Sequence, residues 1–192
     1  MKVLLLCLKA FETMEFSVFV DVLGWARDEA HKDIEVVTCG FQKNVCSTFD
    51  IPVIMDKTID DINVDDYAAL AIPGGFREYG FREEAFNEKT SKLVQDFYKK
   101  NKPIASVCVA AFVLAYSGIL TGKKATTYHL NNGIRQKQLA EYGVEIVDEP
   151  VVKTDNIITS YCPQTAPYVA FTLLEMLTDE ETANYIKTIM GY

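Results

Sequence analysis

The segment that most constrains the fold of this chain runs from Pro103 to Ala115 and reads PIASVCVAAFVLA. Its first part, 104–107, is apolar and rich in β-branched residues, which predicts a buried strand. The next part, 109–116, combines alanine with large apolar residues and predicts a buried helix that follows without a spacer. Cys108 lies at the junction, and small residues two positions to either side leave room for a sharp turn.

Cys108 has two interpretations. The first is a reactive nucleophile on an elbow. A strand-to-helix turn projects the cysteine side chain out of the sheet, and the N-terminus of the following helix favours the thiolate. The second is a small apolar residue of the protein core, which is a common role of a free cysteine. The segment by itself leaves both interpretations open.

Strands and helices alternate along the rest of the chain. The predicted strands are 3–8, 33–39, 67–72, 104–107, 125–128 and 144–147, with a hairpin of 151–152 and 157–160 and a candidate short pair at 45–46 and 51–55. The predicted helices are 15–30, 83–100, 109–116, 131–142, 164–177 and 180–190. This alternation predicts an α/β fold with a doubly wound, mostly parallel sheet in a three-layer α/β/α sandwich. No linker interrupts residues 1–192, which predicts one domain.

The charge of the chain narrows the range of partners. A formal net charge of −8 and a pI near 4.8 argue against nucleic acid or an anionic membrane surface. The apolar run 3–8 is too short to span a bilayer, and charged residues follow it in place of a signal-peptide cleavage site. Nucleic acid and a membrane are therefore not expected as partners.

The number and spacing of the cysteines and histidines bear on disulfide bonds and metal binding. Five scattered cysteines do not form a disulfide framework and contain no CxxC pair. With only two histidines, a zinc site is not expected. These features predict a cytoplasmic protein with reduced thiols and no metal.

Three groups of residues follow predicted strands: Glu12 with Glu15, Gly74 with Gly75, and Cys108. In a parallel sheet, functional groups collect beyond the carboxyl ends of the strands. Taken singly, a Pro-Gly-Gly is a turn and a first-turn glutamate complements the helix dipole. Taken together, they suit a site in which a thiolate attacks a carbonyl, backbone N–H groups stabilise an oxyanion, and a carboxylate transfers a proton. We interpret Glu12 as a solvated neighbour of this site.

Four motifs resemble, in order and spacing, those of the ThiJ/DJ-1/PfpI superfamily of class I glutamine amidotransferase-like proteins: Ala10-Phe-Glu-Thr-Met-Glu15, Ala71-Ile-Pro-Gly-Gly75, Ala105-Ser-Val-Cys108 and Lys124-Ala-Thr-Thr127. The resemblance covers almost the whole chain and implies a flavodoxin-like sandwich that forms a homodimer. It implies Cys108 as the elbow nucleophile and Glu15 as a carboxyl group, protonated in the resting state, that is hydrogen-bonded to the thiol. It also implies a loop of oxyanion and substrate-binding donors, with N–H groups of Gly75 and Val109 as the donors and Gly74 beside them.

Two departures from the family pattern bear on activity. The protease-like branch carries histidine directly after the cysteine, where this chain has Val109, so the chain resembles the ThiJ/DJ-1 branch more closely and protease activity is not expected. Other branches place histidine after the Thr-Thr pair, where this chain has Tyr128, followed by His129. Successive strand residues face opposite ways, so at most one is expected to face Cys108 unless the chain turns. Both are candidate catalytic residues, and His129 is alternatively a loop or helix-start residue.

The resemblance implies a cofactor-free, glyoxalase- or deglycase-like activity on small reactive carbonyls. Cys108 would add to an aldehyde, and Glu15 would transfer the proton. One alternative is a redox-sensing or chaperone-like stress protein that responds to oxidation of Cys108. Another is an isonitrile-hydratase-like or amidase-like hydrolase that uses the same thiolate.

Overall fold

The computed structural model describes all residues, 1–192, and its strands form one large sheet and two small ones. The strands are β1 Lys2–Leu6, β2 Glu35–Gly40, β3 Asn44–Cys46, β4 Pro52–Ile54, β5 Lys57–Thr58, β6 Ala69–Ile72, β7 Ile104–Ser106, β8 Lys124–Ala125, β9 Glu145–Ile146, β10 Val151–Thr154 and β11 Ile157–Ser160. The large sheet has the order β10-β11-β7-β6-β1-β2-β5. Every neighbouring pair in it is parallel except the β10–β11 hairpin. The predicted, mostly parallel sheet is confirmed.

Helices cover both faces of this sheet. They are α1 Thr13–Glu29, α2 Phe81–Ala85, α3 Glu88–Lys99, α4 Ala111–Tyr116, α5 Ile134–Ala140, α6 Ala166–Leu177 and α7 Glu180–Ile189. Helices α1, α6 and α7 pack together on one face, and α3, α4 and α5 pack on the other, which gives the three predicted layers. None of the helices has the length and apolar character needed to cross a membrane.

The central strand β1 explains the continuous apolar run near the start of the chain. Leu4 and Leu6 belong to the core cluster on the α3 side, whereas Val3 and Leu5 belong to the cluster on the α1 side. All four side chains are fully buried. Because strand side chains alternate between faces, a strand covered on both faces needs apolar residues at every position.

Two predicted helices differ from the structure, and local backbone chemistry explains each difference. The predicted helix 131–142 begins only at residue 134, because Asn131, Asn132 and Gly133 have left-handed φ angles of 56°, 59° and 66°. The predicted helix 83–100 is divided into α2 and α3. The side chain of Asn87 accepts a hydrogen bond from the Lys89 N–H over 2.9 Å and so begins a new helix.

The predicted strand 125–128 is shorter than expected, since β8 ends at Ala125 and pairs only with β9. After that point side chains replace the strand-to-strand hydrogen bonds. The Thr126 N–H donates to the Thr159 hydroxyl oxygen over 3.0 Å, and the Thr127 hydroxyl donates to the Cys108 carbonyl over 2.7 Å. The segment therefore leaves strand geometry in order to contact the turn at Cys108. The predicted pairing of 45–46 with 51–55 is present as β3 and β4.

The sheet order brings three distant segments to one edge. Strands β7, β6 and β1 are neighbours, and β1 also pairs with β2, so the chain changes direction between β1 and β6. Glu15, Gly74 and Cys108 each follow the carboxyl end of one of these three strands. Such a change of direction is where open α/β sheets bind ligands.

Candidate functional site

Cys108 lies at a strained turn between β7 and α4. Its φ of +57° is left-handed, a conformation that costs a residue with a Cβ atom roughly 1–2 kcal/mol. Residues 108–110 form one 3₁₀ turn that leads into α4. Ser106 and Ala110 are fully buried to either side, as the elbow predicted from the sequence requires. The turn leaves the Cys108 side chain partly exposed, at the edge of a cleft.

Hydrogen bonds to the backbone hold the elbow in place. The Val107 N–H donates to the Ile72 carbonyl over 3.2 Å, and the Ala110 N–H donates to the Val107 carbonyl over 3.0 Å. The Thr127 hydroxyl binds the Cys108 carbonyl from the opposite side. The strained conformation is therefore fixed by β6, by its own 3₁₀ turn and by the segment after β8, as backbone strain at a site requires.

Glu15 lies in the first turn of α1 and is fully buried. One carboxyl oxygen, Oε2, accepts a hydrogen bond from the Gly74 N–H over 2.6 Å. The other, Oε1, has no nitrogen or oxygen partner. Cys108 lies beside the carboxyl group, and a hydrogen bond with Cys108 is one of the causes that shift the pKa of Glu15.

Burial is the main reason that the pKa of Glu15 rises to about 8. The negative charge of Glu12 raises this pKa further, whereas the hydrogen bonds with Gly74 and Cys108 lower it. The carboxyl group is therefore protonated at neutral pH and can donate a proton through Oε1. This geometry agrees with the protonated glutamate that the resemblance implies.

Cys108 and Glu15 titrate as a coupled pair. Burial raises the pKa of the Cys108 thiol, and the charge of an ionised Glu15 raises it further. A hydrogen bond from the Val109 N–H to the sulfur lowers it. Because Glu15 is neutral below about pH 8, its repulsion is absent at neutral pH, and the apparent pKa values belong to the pair rather than to either residue.

The two glycines after β6 are required by close contacts. A Cβ atom at Gly74 would lie 2.8 Å from Glu15 Oε2, 2.9 Å from the Val107 carbonyl oxygen and 3.0 Å from the Cys108 Cβ. A Cβ atom at Gly75 would lie 2.3 Å from the Phe81 ring. Any side chain at either position would push the loop away from the thiol and the carboxyl group.

The two expected donors, Gly75 and Val109, and the neighbouring Gly74 have different hydrogen-bond partners. The Gly74 N–H is used by Glu15. The Gly75 N–H forms no hydrogen bond within the protein, and Gly75 lines the cleft beside Cys108. The Val109 N–H lowers the pKa of the Cys108 thiol. Gly74 thus positions the carboxyl group, whereas Gly75 and Val109 line the cleft beside the sulfur.

The structure separates Tyr128 from His129. Tyr128 lines the cleft that contains Cys108, whereas His129 does not. The His129 ring is stacked on Tyr161, with 3.9 Å between ring centroids and 24° between the planes. Tyr161 in turn donates its hydroxyl to Asp148 over 2.7 Å. Of the two candidates, only Tyr128 is brought together with the thiol in the cleft.

The cleft has a volume of about 500 Å³. Beside the residues expected from the sequence, it is lined by aromatic and aliphatic side chains and by three arginines, including Phe76, Phe81, Phe112, Ile134, Tyr142, Arg77, Arg82 and Arg135. Most of these residues belong to the segments 76–86 and 131–142. No local sequence pattern identifies these segments, because tertiary packing brings them to the cleft.

Glu12 is a correction to the sequence analysis, which interpreted it as solvated. Its side chain is only 8% exposed, and its Oε1 accepts a hydrogen bond from the Met14 N–H at the start of α1. Its own N–H donates to the Gly74 carbonyl over 2.7 Å. Glu12 is thus a helix cap that connects α1 to the glycine loop, because the first orphan N–H groups of a helix need acceptors. The structure contains no cluster of three or more His, Cys, Asp or Glu side chains spaced to hold a metal.

Comparison with known proteins assigns the family. The family model described as the DJ-1/PfpI family matches residues 1–176. This chain belongs to the DJ-1/PfpI family. Its structure aligns with the crystal structure of Drosophila melanogaster DJ-1beta at a TM-score of 0.85 and 26% identity, covering 98% of this chain and 96% of the other.

Curated relatives of this DJ-1/PfpI protein include members with and without a named activity. An uncharacterized protein of Methanocaldococcus jannaschii is 38% identical over 126 residues, which span 65% of this chain and 59% of that protein. A protein named deglycase PfpI from Pyrococcus furiosus is 32% identical over 164 residues, 85% of this chain and 91% of the relative. Since both DJ-1 and PfpI names occur among the relatives, the comparisons assign the superfamily and not the branch.

Proposed function

We propose that this protein is a cofactor-free enzyme that converts small reactive carbonyls through a covalent bond to Cys108, in the manner of a glyoxalase or deglycase. The observation that carries the proposal is Glu15, a fully buried carboxyl group with a pKa of about 8 beside the elbow thiol. A buried acid with a pKa near the operating pH is suited to both donating and accepting a proton. The relative named deglycase PfpI, 32% identical to this chain, supports the same chemistry.

The first step is addition of the thiolate to a 2-oxoaldehyde. The Cys108 sulfur forms a bond to the aldehyde carbon, and the carbonyl oxygen becomes an oxyanion. The Gly75 N–H, which has no acceptor within the protein, and the Val109 N–H stabilise that charge. Glu15 then gives its proton to the oxyanion, which leaves a neutral hemithioacetal and a Glu15 carboxylate.

The second step is an internal transfer of hydrogen. The Glu15 carboxylate removes the proton from the sulfur-bearing carbon, which leaves an enediolate across the two carbons, and the hydroxyl proton of the first carbon passes to the oxygen of the second. Glu15 returns a proton to the neighbouring carbon, which gives the thioester of a 2-hydroxy acid. Water then breaks the carbon–sulfur bond and releases the acid and the thiol, and the thiol proton passes to the Glu15 carboxylate to restore the starting state. One carbon is oxidised and the other reduced, so the sum is 2-oxoaldehyde plus water to 2-hydroxy acid, with no outside oxidant.

Turnover of methylglyoxal to lactate tests this proposal. We expect Cys108→Ala to abolish turnover and Glu15→Gln to lower kcat by roughly 10²–10⁴-fold, the range typical for general acid–base groups. Cys46→Ala is the matched control, because Cys46 is an exposed thiol on β3 outside the cleft. Lactate formation that persists in Cys108→Ala would exclude the proposed chemistry.

Redox sensing is the second candidate function, and one observation favours it. Oε1 of the protonated Glu15 has no nitrogen or oxygen partner, so it is free to donate to an oxygen of a sulfinate formed on Cys108. Oxidation of Cys108 by low concentrations of peroxide, without methylglyoxal turnover, would favour the sensor over the enzyme. Peptide-resolved mass spectrometry measures that oxidation, with buried Cys7 as the internal reference.

We further propose that the protein is a cytoplasmic homodimer. A subunit interface is supported by exposed apolar or aromatic side chains on three helices. They are Met14 and Trp25 on α1, Tyr168 on α6 and Tyr185 on α7. The cysteines are all free thiols, which supports a reducing compartment. Light scattering would measure the subunit number, and fractionation of the source cells would measure the compartment. A monomer at all accessible concentrations would contradict the first part.

A further inference from the structure

The arginines of this chain are concentrated at the proposed site. The sequence contains four arginines, and three of them, Arg77, Arg82 and Arg135, line the Cys108 cleft. None of the lysines lines it, although lysine is far more common in this chain. In a protein with a formal net charge of −8, the cleft is therefore where guanidinium groups are gathered. Guanidinium binds carboxylate and phosphate through two parallel hydrogen bonds, which ammonium does not do.

These three guanidinium groups have no anionic partner within the protein. The structure contains ten ion pairs, and Arg27 is the only arginine in them. Arg82 lies over the ring of Phe86, 4.8 Å from its centroid, and Arg135 donates to Gln138 Oε1 over 2.9 Å. Both contacts leave further N–H groups of the guanidinium free to bind an anion.

No carboxylate of the cleft forms an ion pair with these arginines. Glu12 caps α1, and Glu15 is protonated at neutral pH because its pKa is about 8. Glu78 and Glu141 are exposed at the edge of the cleft, and neither lies within 4.0 Å of a guanidinium nitrogen. Half-buried Arg135 and the exposed Arg77 and Arg82 therefore have guanidinium N–H groups that an anion from outside the protein can bind.

The size of the cleft is a second, independent observation. A volume of about 500 Å³ lies within the range of about 300–1,000 Å³ that is typical of sites for drug-sized ligands. Methylglyoxal has only three carbons and would occupy a small part of it. A substrate that fills the cleft has a second portion, which extends from Cys108 towards the arginines and the aromatic side chains.

We propose that the substrate of this site is a carbonyl compound with a carboxylate or phosphate group, bound by Arg77, Arg82 and Arg135 while its aldehyde carbon meets Cys108. This inference rests on the carbonyl chemistry proposed above and specifies its substrate class. For a carboxylated 2-oxoaldehyde such as 4,5-dioxopentanoate, the balanced reaction adds one water and gives 2-hydroxyglutarate by the same two steps. The arginines bind the distal anion and take no part in the proton transfers.

Matched substrate pairs test the preference. For the carboxylate, kcat/KM is measured for 4,5-dioxopentanoate and for its methyl ester. For the phosphate, it is measured for 3-phosphooxy-2-oxopropanal and for methylglyoxal. We expect the anionic member of at least one pair to be preferred by about 10- to 100-fold, the range for hydrogen bonds to a charged group. The pair with the larger ratio identifies the anion, and equal rates within both pairs would overturn the proposal.

Arginine variants connect the preference to the cleft. Arg135→Gln should lower kcat/KM for the anionic substrate more than for its neutral partner, and Arg135→Lys should restore only part of the loss. Arg27→Gln is the control, because Arg27 is paired with Asp28 on α1, away from Cys108. An equal loss for the acid and the ester in Arg135→Gln would contradict a role in anion binding.

Alkylation tests the anion site without turnover. Iodoacetate carries a carboxylate and iodoacetamide does not, so their rate constants at Cys108 compare an anionic with a neutral reagent. We expect the ratio of the iodoacetate to the iodoacetamide rate constant to be about tenfold higher at Cys108 than at exposed Cys46. This ratio at Cys108 should fall in Arg135→Gln. Iodoacetate preference without carbonyl turnover would refute the proposed function and keep the anion site. Turnover with no preference for either anionic reagent or anionic substrate would refute the anion site alone.

Discussion

The Gly74 N–H donates to Glu15 Oε2 over 2.6 Å, and the same glycine leaves no room for a Cβ atom between Glu15 and Cys108. Gly74 thus binds the Glu15 carboxyl group through its backbone N–H. Because Gly74 has no side chain, the carboxyl group can lie close to the Cys108 thiol. Since the hydrogen bond uses Oε2, the proton that Glu15 carries at neutral pH lies on the oxygen without a nitrogen or oxygen partner.

Replacing Gly74 by alanine should disrupt this relationship. The new Cβ atom would lie 2.9 Å from the Val107 carbonyl oxygen, which is backbone and cannot move freely. We expect a loss of about 1–3 kcal/mol in the free energy of unfolding, as is typical of overpacking, and slower alkylation of Cys108. Urea unfolding and iodoacetamide kinetics measure the two effects.

Gly24→Ala is the matched control for that substitution. A Cβ atom at Gly24, inside α1, meets nothing within 4 Å. Alanine there should stabilise the helix by about 0.5–1 kcal/mol and leave Cys108 reactivity unchanged. A Gly74→Ala protein with wild-type stability and reactivity would show that the loop moves without cost.

The burial of Glu15 should make stability depend on pH. Its pKa is about 8 in the folded chain against 4.5 for the exposed group, so the folded state binds more protons between these values. The stability that comes with the neutral carboxyl is complete below the unfolded pKa and is lost as the pH rises through the folded one. The slope approaches about −1.4 kcal/mol per pH unit. Glu15→Gln removes this titration.

Urea unfolding of the wild type and Glu15→Gln across the same window measures the effect. The stability of the variant relative to the wild type should increase steadily from about pH 5 to about pH 8 and then level off. A difference that stays constant over this range would mean that Glu15 is ionised when the chain is folded.

Glu15→Gln should also change the pH profile of Cys108 alkylation. An ionised Glu15 raises the pKa of the Cys108 thiol, and glutamine cannot ionise. Below the Glu15 pKa of about 8 the two profiles should be similar, because the carboxyl group is neutral there. Above it, the variant should react faster than the wild type. Faster reaction of the wild type at alkaline pH would reverse the sign of the coupling.

The strain at Cys108 predicts an unusual order of stabilities. Cys108→Ala and Cys108→Gly both remove the thiol, but only glycine adopts a φ of +57° without steric cost. We expect the glycine variant to be the more stable by about 1 kcal/mol in urea unfolding. Ala140→Gly, at an exposed position of α5 with right-handed geometry, should instead lose about 1 kcal/mol. Equal stability of the two Cys108 variants would indicate that the turn relaxes.

The sequence predicted the features that depend on local patterns. The apolar runs of β1, β6 and β7 are continuous because those strands are buried on both faces, and Cys108 follows one of them directly. These patterns identify the sheet and the elbow without any knowledge of long-range contacts. The Glu15–Gly74–Cys108 cluster was predictable for a related reason, since carboxyl ends of parallel strands meet at one edge.

The rest depended on contacts between distant segments. Arg82 and Arg135 are brought to one cleft by tertiary packing, and no local pattern places them there. The separation of Tyr128 from His129 results from the end of β8 at Ala125 and from hydrogen bonds to residues 108 and 159. Helix 131–142 was predicted too long because three consecutive left-handed residues have no clear hydrophobic signature.

The order β7-β6-β1 also has a consequence for how the chain acquires its site. Glu15 and Gly74 are 59 residues apart in sequence, and Cys108 lies further still along the chain. Parallel pairing over such separations needs closed crossover loops and is a slow part of folding. A growing or refolding chain therefore carries an ordinary thiol until β7 docks beside β6. The distinctive reactivity of Cys108 would report the completion of the sheet in a refolding experiment.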